Sequence, residues 1–533
     1  MVNDINRNMT SIKWFSSIAL FIMLYFMYAS TFLTDYLMRD EWEFVGGADW
    51  YELGPMIQTF FLRSGRALFA VFQKIVLEFA GTDVTRIQIV RFVNFLFFAW
   101  VGILLLWFLE KRTKYIWLSF FTILFFFSQL PFQVLIGYSF ELICGSLPSI
   151  SFSLLAFYLH FFVLEKYNPP KYVHFFIIFV VLMLAMQSTQ TYAYFALIPL
   201  SYIALSDWKN HRIKIIQFLF ISYASFAVSA FIFKLNLDYL ISHGMTVYDV
   251  GEQGISSLTS QPFDMLLFIL DPRTYWSVFK LWTFPFPFHN TPVLETLTEK
   301  IASFALMVTW FCLLGTSIWL ETKNASTHDR HQITYKWLAV LFCFGLAATF
   351  IIADAPLQAI DHRPHLHLTF LGLVIFTSFY ALEKIIPHFS ILQNNKLHFL
   401  GGFVVLMIAF GAQSGVLRNI VNVHKSQLDF IRTELLSQDI NSYQTVIVVL
   451  PAENQGCITE PCGPWVGERI ENNGHLFHPE AYWYALSTIG IEPFKKEITF
   501  VEQKDFVPQE NAVTIDWNVF SLAQQMYSEE FNK

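Results

Sequence analysis

The sequence predicts an all-α polytopic membrane protein of about 11 transmembrane helices, with a small C-terminal extracytoplasmic α/β domain. Three observations lead there. Hydrophobic residues make up 55% of the 533, phenylalanine alone supplies 60, and mean hydropathy is +0.46. Charged residues make up 14%, where a soluble chain uses roughly 25% to cover its surface. Apolar stretches near the length of about 20 residues that a bilayer core demands recur as far as residue 415 and then stop. The same numbers exclude other classes. A net charge of −7 leaves no basic face for nucleic acid. Five cysteines are too few for a disulfide scaffold and lack the paired spacing of a zinc module.

The predicted spans lie near 14–34, 87–109, 116–136, 147–164, 173–187, 192–206, 215–235, 301–320, 337–353, 366–382 and 398–415. The first is too long for the apolar core of a signal peptide and has no small-x-small cleavage site after it, so it reads as a retained anchor. The fifth and sixth are short and meet at Gln187-Ser188-Thr189-Gln190-Thr191; they read as two spans or as one kinked helix. Charge decides between these. One set of loops carries Arg7 and Lys13; Lys111, Arg112 and Lys114; Lys166 and Lys171; Lys209, Arg212 and Lys214; Lys323, Arg330 and Lys336; Lys384 and Lys396. The alternate short loops carry only Arg363. Basic loops stay in the cytoplasm, so the N-terminus is expected there and the two short spans are expected to be separate. The bundle is then 1–415, with outer segments at 35–86 and 236–300, and residues 416–533 form the outer α/β domain.

Chemistry is expected in the outer segments, where the remaining polar residues gather. The first begins Arg39-Asp40-Glu41-Trp42-Glu43 and runs through Trp50 into a stretch from Leu53 to Phe79. There Phe61, Leu68, Phe72, Ile75 and Phe79 recur at helical spacing, with Arg63, Arg66 and Lys74 between them. Such a helix lies in the interface plane, its apolar face among acyl chains. Adjacent carboxylates at that depth can act as a general base: a sugar hydroxyl is a poor nucleophile, and taking its proton during attack accelerates transfer roughly 10²–10⁴-fold. A lipid phosphate as leaving group needs a cation against its growing charge, which Arg66 supplies. The plainer reading is that the acids keep a loop hydrated while the arginines snorkel.

An acidic pair directly after the first span, in an outer loop with amphipathic helices, resembles the GT-C class of integral-membrane glycosyltransferases. Arg39-Asp40-Glu41 is similar to the Asp-Glu motif of enzymes that use polyprenyl-phosphate sugars. Trp50 with Ser64-Gly65-Arg66-Ala67-Leu68 resembles the bacterial glucosyltransferases that decorate O-antigen. The resemblance covers roughly residues 14–110 and is topological beyond them. Those enzymes often show two aspartates where this chain has Asp40-Glu41, so either acid can be the base; Asp40 is preferred. The resemblance implies inverting transfer of a hexose, glucose above others, from a polyprenyl-phosphate carrier at the outer face of a bacterial inner membrane.

The later outer segments add candidates. In 236–300, Trp276, Trp282 and Phe284-Pro285-Phe286-Pro287-Phe288 form an aromatic, proline-rich loop where no regular helix fits. Its rings can stack on sugars, or simply sit at the interface as aromatic residues do. The loop Asp361-His362-Arg363-Pro364-His365-Leu366-His367 sets Arg363 at the mouth of a span, where a lipid phosphate would lie. Its histidines match no helix-face metal spacing, and no metal is expected. In the tail, a helix near 424–438, a strand at 445–451, a helix at 478–488 and a strand at 498–501 outline the α/β domain. Cys457 and Cys462 would form a disulfide in an oxidising compartment or remain free thiols.

The expected roles follow. Asp40 deprotonates the acceptor, and Glu41 supports the base or binds the acceptor. Arg66 and Arg363 hold the donor phosphate, and Trp42, Trp50, His362 and Arg273 bind substrate. No cofactor is expected. Partners are a polyprenyl-phosphate-linked sugar, a glycan acceptor such as O-antigen and membrane lipids, with a flippase and a donor-synthesising enzyme upstream. Two rivals stand beside this reading. A transporter or flippase would carry mid-membrane charges and repeated halves with matching broken helices; here only the interruption at 187–191 speaks for it. A glycan polymerase or ligase would place its large outer loop late in the bundle.

Overall fold

The computed structural model describes residues 2–36, 66–80, 84–137, 142–167, 169–242, 297–323, 325–354, 367–393, 395–438, 440–450, 479–491, 496–502, 506–509 and 511–517. The helices are α1 (Val2–Leu33), α2 (Ala67–Ala80), α3 (Val84–Glu110), α4 (Ile116–Phe127) and α5 (Leu130–Gly137). A π-helical turn (Leu142–Ser146) leads into α6 (Leu147–Tyr158), which continues through a second such turn (Leu159–Val163) to α7 (Leu164–Tyr167). Then come α8 (Lys171–Ser188), α9 (Leu197–Ser206), α10 (Trp208–Ser242), α11 (Leu297–Thr322), α12 (Thr327–Asp354), α13 (Leu368–Ile385) and α14 (Asn395–Val416). A π-helical stretch (Leu417–Asn422) joins α14 to α15 (Val423–Ser437), and α16 (Pro479–Thr488) lies among the strands.

Nine described helices are long and apolar enough to cross a membrane, and α4 with α5 make ten if taken as one bent span. That pair bends by 56°. Pro131 sits in the first turn of α5, where its missing N–H costs nothing but the previous helix cannot continue through it. Ser128 and Gln129 donate to the carbonyls of Leu124 and Phe125, capping the end of α4. The sixth predicted span differs more. Thr189 adopts an extended backbone and stops α8, a 3₁₀ turn covers Gln190–Tyr192, and α9 resumes only at Leu197. Its ten residues rise about 15 Å, half the hydrocarbon thickness of about 30 Å. Every residue from Thr191 through Leu205 is buried in the bundle.

Successive helices alternate in direction, so their ends gather at two levels. At one level lie the ends rich in lysine and arginine, tied by Ser16 to Glu110 (2.6 Å), Lys209 to Asp329 (3.4 Å) and Trp208 to Gln332 (2.9 Å). At the other lie the ends of α1, α5 and α8 and the starts of α3, α13 and α15. Phe15, Phe220, Phe231, Phe311 and Phe399 face outward, exposed, which a bundle in water would not tolerate as a continuous surface.

The main core runs from Leu20 on α1 to Val421, with α11 packed against it through the half-buried Leu306, Met307 and Trp310. A second core joins Ala70, Leu77 and Ala80 of α2 and Ile87 and Val90 of α3 to Leu428, Ile431, Tyr482 and Trp517. It includes a three-stranded parallel sheet of order β2-β1-β3, with β1 at Thr445–Leu450, β2 at Glu497–Glu502 and β3 at Ala512–Asp516. Val446 pairs with Ile498 on one side and Val513 on the other. The central strand is buried on both faces, hence its unbroken apolar run. The β3 strand was not anticipated from sequence.

Candidate functional site

Arg66 is the predicted site residue that falls within the described chain. Asp40, Glu41, Trp42, Trp50, Arg273, His362, Arg363, Cys457 and Cys462 lie outside the described residues. What the structure gives is the frame on either side of the acidic loop.

At the near side α1 ends at Leu33, and the next residues are held from several directions. Arg91, buried in the second turn of α3, donates to the carbonyl of Tyr36 (2.5 Å) and lies 3.5 Å from that of Thr34. Its guanidinium sits 3.7 Å over the Tyr36 ring. Tyr36 donates its hydroxyl to Gly137 at the end of α5 (3.2 Å), and its ring stacks with His424 of α15. Asp35 pairs with Arg432 of α15 at 2.5 Å, and Arg432 also donates to Thr488 of α16 (2.8 Å). A charge within a span is expensive unless paired or bound to backbone carbonyls, and both arginines meet that condition. The backbone is therefore fixed at Tyr36, four positions before Asp40.

At the far side of the loop, Arg66 begins α2. Its carbonyl accepts from the Ala70 N–H, and its Nε donates to Gln190 in the helix break at 3.3 Å. The helix buries Phe69, Ala70, Gln73, Leu77 and Ala80. Ile75 and Phe79 stay exposed and Leu68 and Phe72 are half-buried. The apolar face read from sequence thus looks outward, available to acyl chains, while the opposite face packs on the bundle. Gly145 shows how close that packing is. A Cβ there would come within 2.3 Å of the Thr189 hydroxyl and 2.7 Å of the Phe69 ring.

Around the break, Ser149 donates to the Thr189 carbonyl (2.7 Å) and Thr369 to that of Thr191 (3.4 Å). Among the described residues, Gln73 of α2 through both amide atoms, Gln187 through Oε1, the Thr191 hydroxyl, and His367 through both ring nitrogens are closed off without a hydrogen-bond partner. Sequence reading marked 187–191 as an interruption but gave no role to Gln73, Arg91, Gln190, His367 or Arg432. Arg91 was legible as a charge inside an apolar stretch, whereas its partners, 55 and 57 residues away, were not.

Among the described residues no three His, Cys, Asp or Glu side chains gather as a metal site requires. Cys144, Cys312 and Cys343 are free thiols. No family model, curated protein or solved structure matches the chain.

Proposed function

We propose that this protein is an inverting GT-C-type glycosyltransferase that moves a hexose from a polyprenyl-phosphate carrier onto a glycan outside the cytoplasm. The observation that carries the reading is the fixed frame of the acidic loop. Tyr36 is clamped by Arg91 and by the Asp35–Arg432 pair, and Arg66 is hydrogen-bonded into the helix break at the same end of the bundle. Asp40 and Glu41 follow the clamp by four and five positions, so the chain enters the acidic loop from a fixed point at Tyr36. General-base catalysis needs that: the carboxylate must sit within about 2.6–3.2 Å of the proton it takes.

In this mechanism Asp40 removes the acceptor proton as its oxygen attacks the anomeric carbon, and Glu41 orients the base. The carrier phosphate leaves with the bond to carbon broken, its charge met by Arg66 and Arg363. Trp42, Trp50, His362 and Arg273 contact the two substrates. The basic helix ends face the cytoplasm and the acidic loop and sheet domain face outward, across the inner membrane of a bacterium. A monophosphate leaving group with arginine partners requires no metal.

The test is transfer of labelled sugar from a polyprenyl-phosphate carrier by the purified chain, with Asp40→Asn and Glu41→Gln compared at equal folded protein. Full rate in both variants overturns the assignment. The buried break between α8 and α9 favours one other reading, a transporter, since broken helices line permeation sites. Solute uptake into proteoliposomes without any lipid carrier would establish that reading instead.

A further inference from the structure

At the lysine- and arginine-rich level the bundle surface opens into a groove of about 640 Å³ between α1, α3 and α6. Buried Leu105, Phe157 and Pro199 form its floor. Trp14, Trp107, Tyr158 and Phe162, all exposed, form its rims. The two indoles are fixed in place: their rings meet edge to face at 6.2 Å, and Trp107 donates to Ser17 at 2.8 Å. Lys111 and Arg112, directly after α3, stand at the mouth. Arg112 donates to the Phe108 carbonyl at 3.2 Å, and its guanidinium lies 4.2 Å over the Phe108 ring, which holds it against the groove. Neither cation forms a salt bridge with any described residue. The nearby acids are engaged elsewhere. Glu110 accepts from Ser16 at 2.6 Å, and Asp207 accepts from Asn210 at 2.6 Å and lies 3.2 Å from the His211 ring.

We infer that this groove holds one anionic glycerophospholipid, with an acyl chain along the floor and the headgroup phosphate against Lys111 and Arg112. The site depends on the bundle crossing a membrane and not on the transferase reading. Depth, shape and charge agree on the occupant. Tryptophan, tyrosine and basic side chains gather at headgroup level, so the mouth lies there. From Lys111 back to Leu104 the wall runs about 10 Å along α3, two-thirds of the roughly 15 Å hydrocarbon depth of one leaflet. Leu104, Leu105, Trp107 and Phe108 line it, a surface suited to an acyl chain. The mouth is also the negative pole of the α3 dipole, so an anion is held there by the two side chains and not by the helix end. A zwitterionic headgroup carries an ammonium beyond its phosphate, which the same cations repel; a net negative headgroup meets no such opposition. Basic pockets between spans select anionic lipids on this ground. A groove of about 720 Å³ between α10 and α12 supplies the contrast. Among the described residues that line it, Arg212 alone is basic, so it lacks the paired charge.

The experiment reconstitutes the full chain in vesicles of equal phosphatidylglycerol and phosphatidylcholine, extracts it in mild detergent and counts retained lipid by native mass spectrometry. One phosphatidylglycerol per chain is expected, favoured over phosphatidylcholine about thirtyfold, the worth of two cations facing an anionic headgroup. Lys111→Gln alone, at an exposed position, should lower that preference about fivefold, and Lys111→Gln with Arg112→Gln should abolish it. Leu154→Trp, which fills the groove and keeps both cations, should release the lipid. The charge-matched pair Lys171→Gln with Arg212→Gln lies at the same level outside the groove and should keep it. Thermal unfolding in lipid-free detergent checks that each chain compared is folded; where Leu154→Trp is not, Lys111→Gln carries the test. Equal retention of both lipids by the parent, a loss as large in the charge-matched pair, or a preference untouched by Lys111→Gln overturns the site. A parent free of phospholipid that runs as a dimer, separated by Leu154→Trp, assigns the groove to a second copy and overturns it too.

Discussion

The two ends of the helix bundle treat their polar residues differently. At the basic end, Lys336 pairs with Glu321 at 2.6 Å and donates to Tyr380 (2.9 Å). Glu321 further accepts from Trp337, and Glu383 accepts from Tyr202 (2.8 Å). His160 bridges His174 (2.8 Å) and the Lys214 carbonyl (2.9 Å). These contacts link the π-helical turn after α6 with α8 and α10, and α9, α11, α12 and α13 with one another. At the opposite end Arg91 is aimed at backbone carbonyls, Arg432 pairs with Asp35, and Arg66 donates to Gln190. The comparison separates two uses of polarity in a helix bundle: at one end side chains cross-link neighbouring helices, and at the other arginines pin the backbone just ahead of the acidic loop.

That contrast can be broken by mutation. The largest effect is expected at the acidic loop: Asp40→Asn should cost roughly 10²–10⁴-fold in sugar transfer without lowering thermal stability, and a stable variant with full activity would remove the catalytic distinction between the ends. At the basic end Glu321→Ala leaves the Lys336 ammonium buried and unpaired, which should destabilise the fold by about 3–5 kcal/mol. Thermal unfolding in nanodiscs reads this, and transfer per folded molecule should hold. Arg432→Ala removes the partner of Asp35 and should cost roughly 1.5–3 kcal/mol; unlike Glu321→Ala, it should also slow transfer per folded molecule. Gly145→Ala forces a methyl against Thr189 and Phe69, with an expected cost of about 1–3 kcal/mol and a weakened Arg66–Gln190 contact. The smallest change is Trp107→Phe, which deletes the 2.8 Å bond to Ser17 and should shift stability by about 0.5–1.5 kcal/mol with transfer untouched.

Much of the bundle was legible because apolar length is a local property: each long described helix coincides with an apolar run, and the interruption at 187–191 appears as the stop of α8. What escaped depends on distance along the chain. The break and the shortness of α9 follow from Thr189 turning extended and from the packing of α2 near it, neither of which a hydropathy window sees. The face of α2 is similar. Its apolar stripe was readable, but the buried side also carries Phe69, Leu77 and the polar Gln73, and only the packed structure tells which side meets the bundle. In the tail, β1 announced itself through an unbroken apolar run, while β3 (Ala-Val-Thr-Ile-Asp) alternates over five residues and gains its identity from its parallel neighbour. For the site, Arg66 and the acids stood out by residue type and position, whereas Gln73 and His367 gain meaning only from burial without partners.

The last span has a mechanical consequence. It continues without a sharp bend through the π-helical stretch, giving a rod of 41 residues from Leu397 to Ser437, about 60 Å long. Arg432, near its tip, grips both Asp35 and Thr488. Through Arg432 the rod ties the sheet domain to the residues just ahead of the acidic loop. Cutting the chain after residue 415 would therefore do more than remove an appendage, because it would unmoor the first loop at its root.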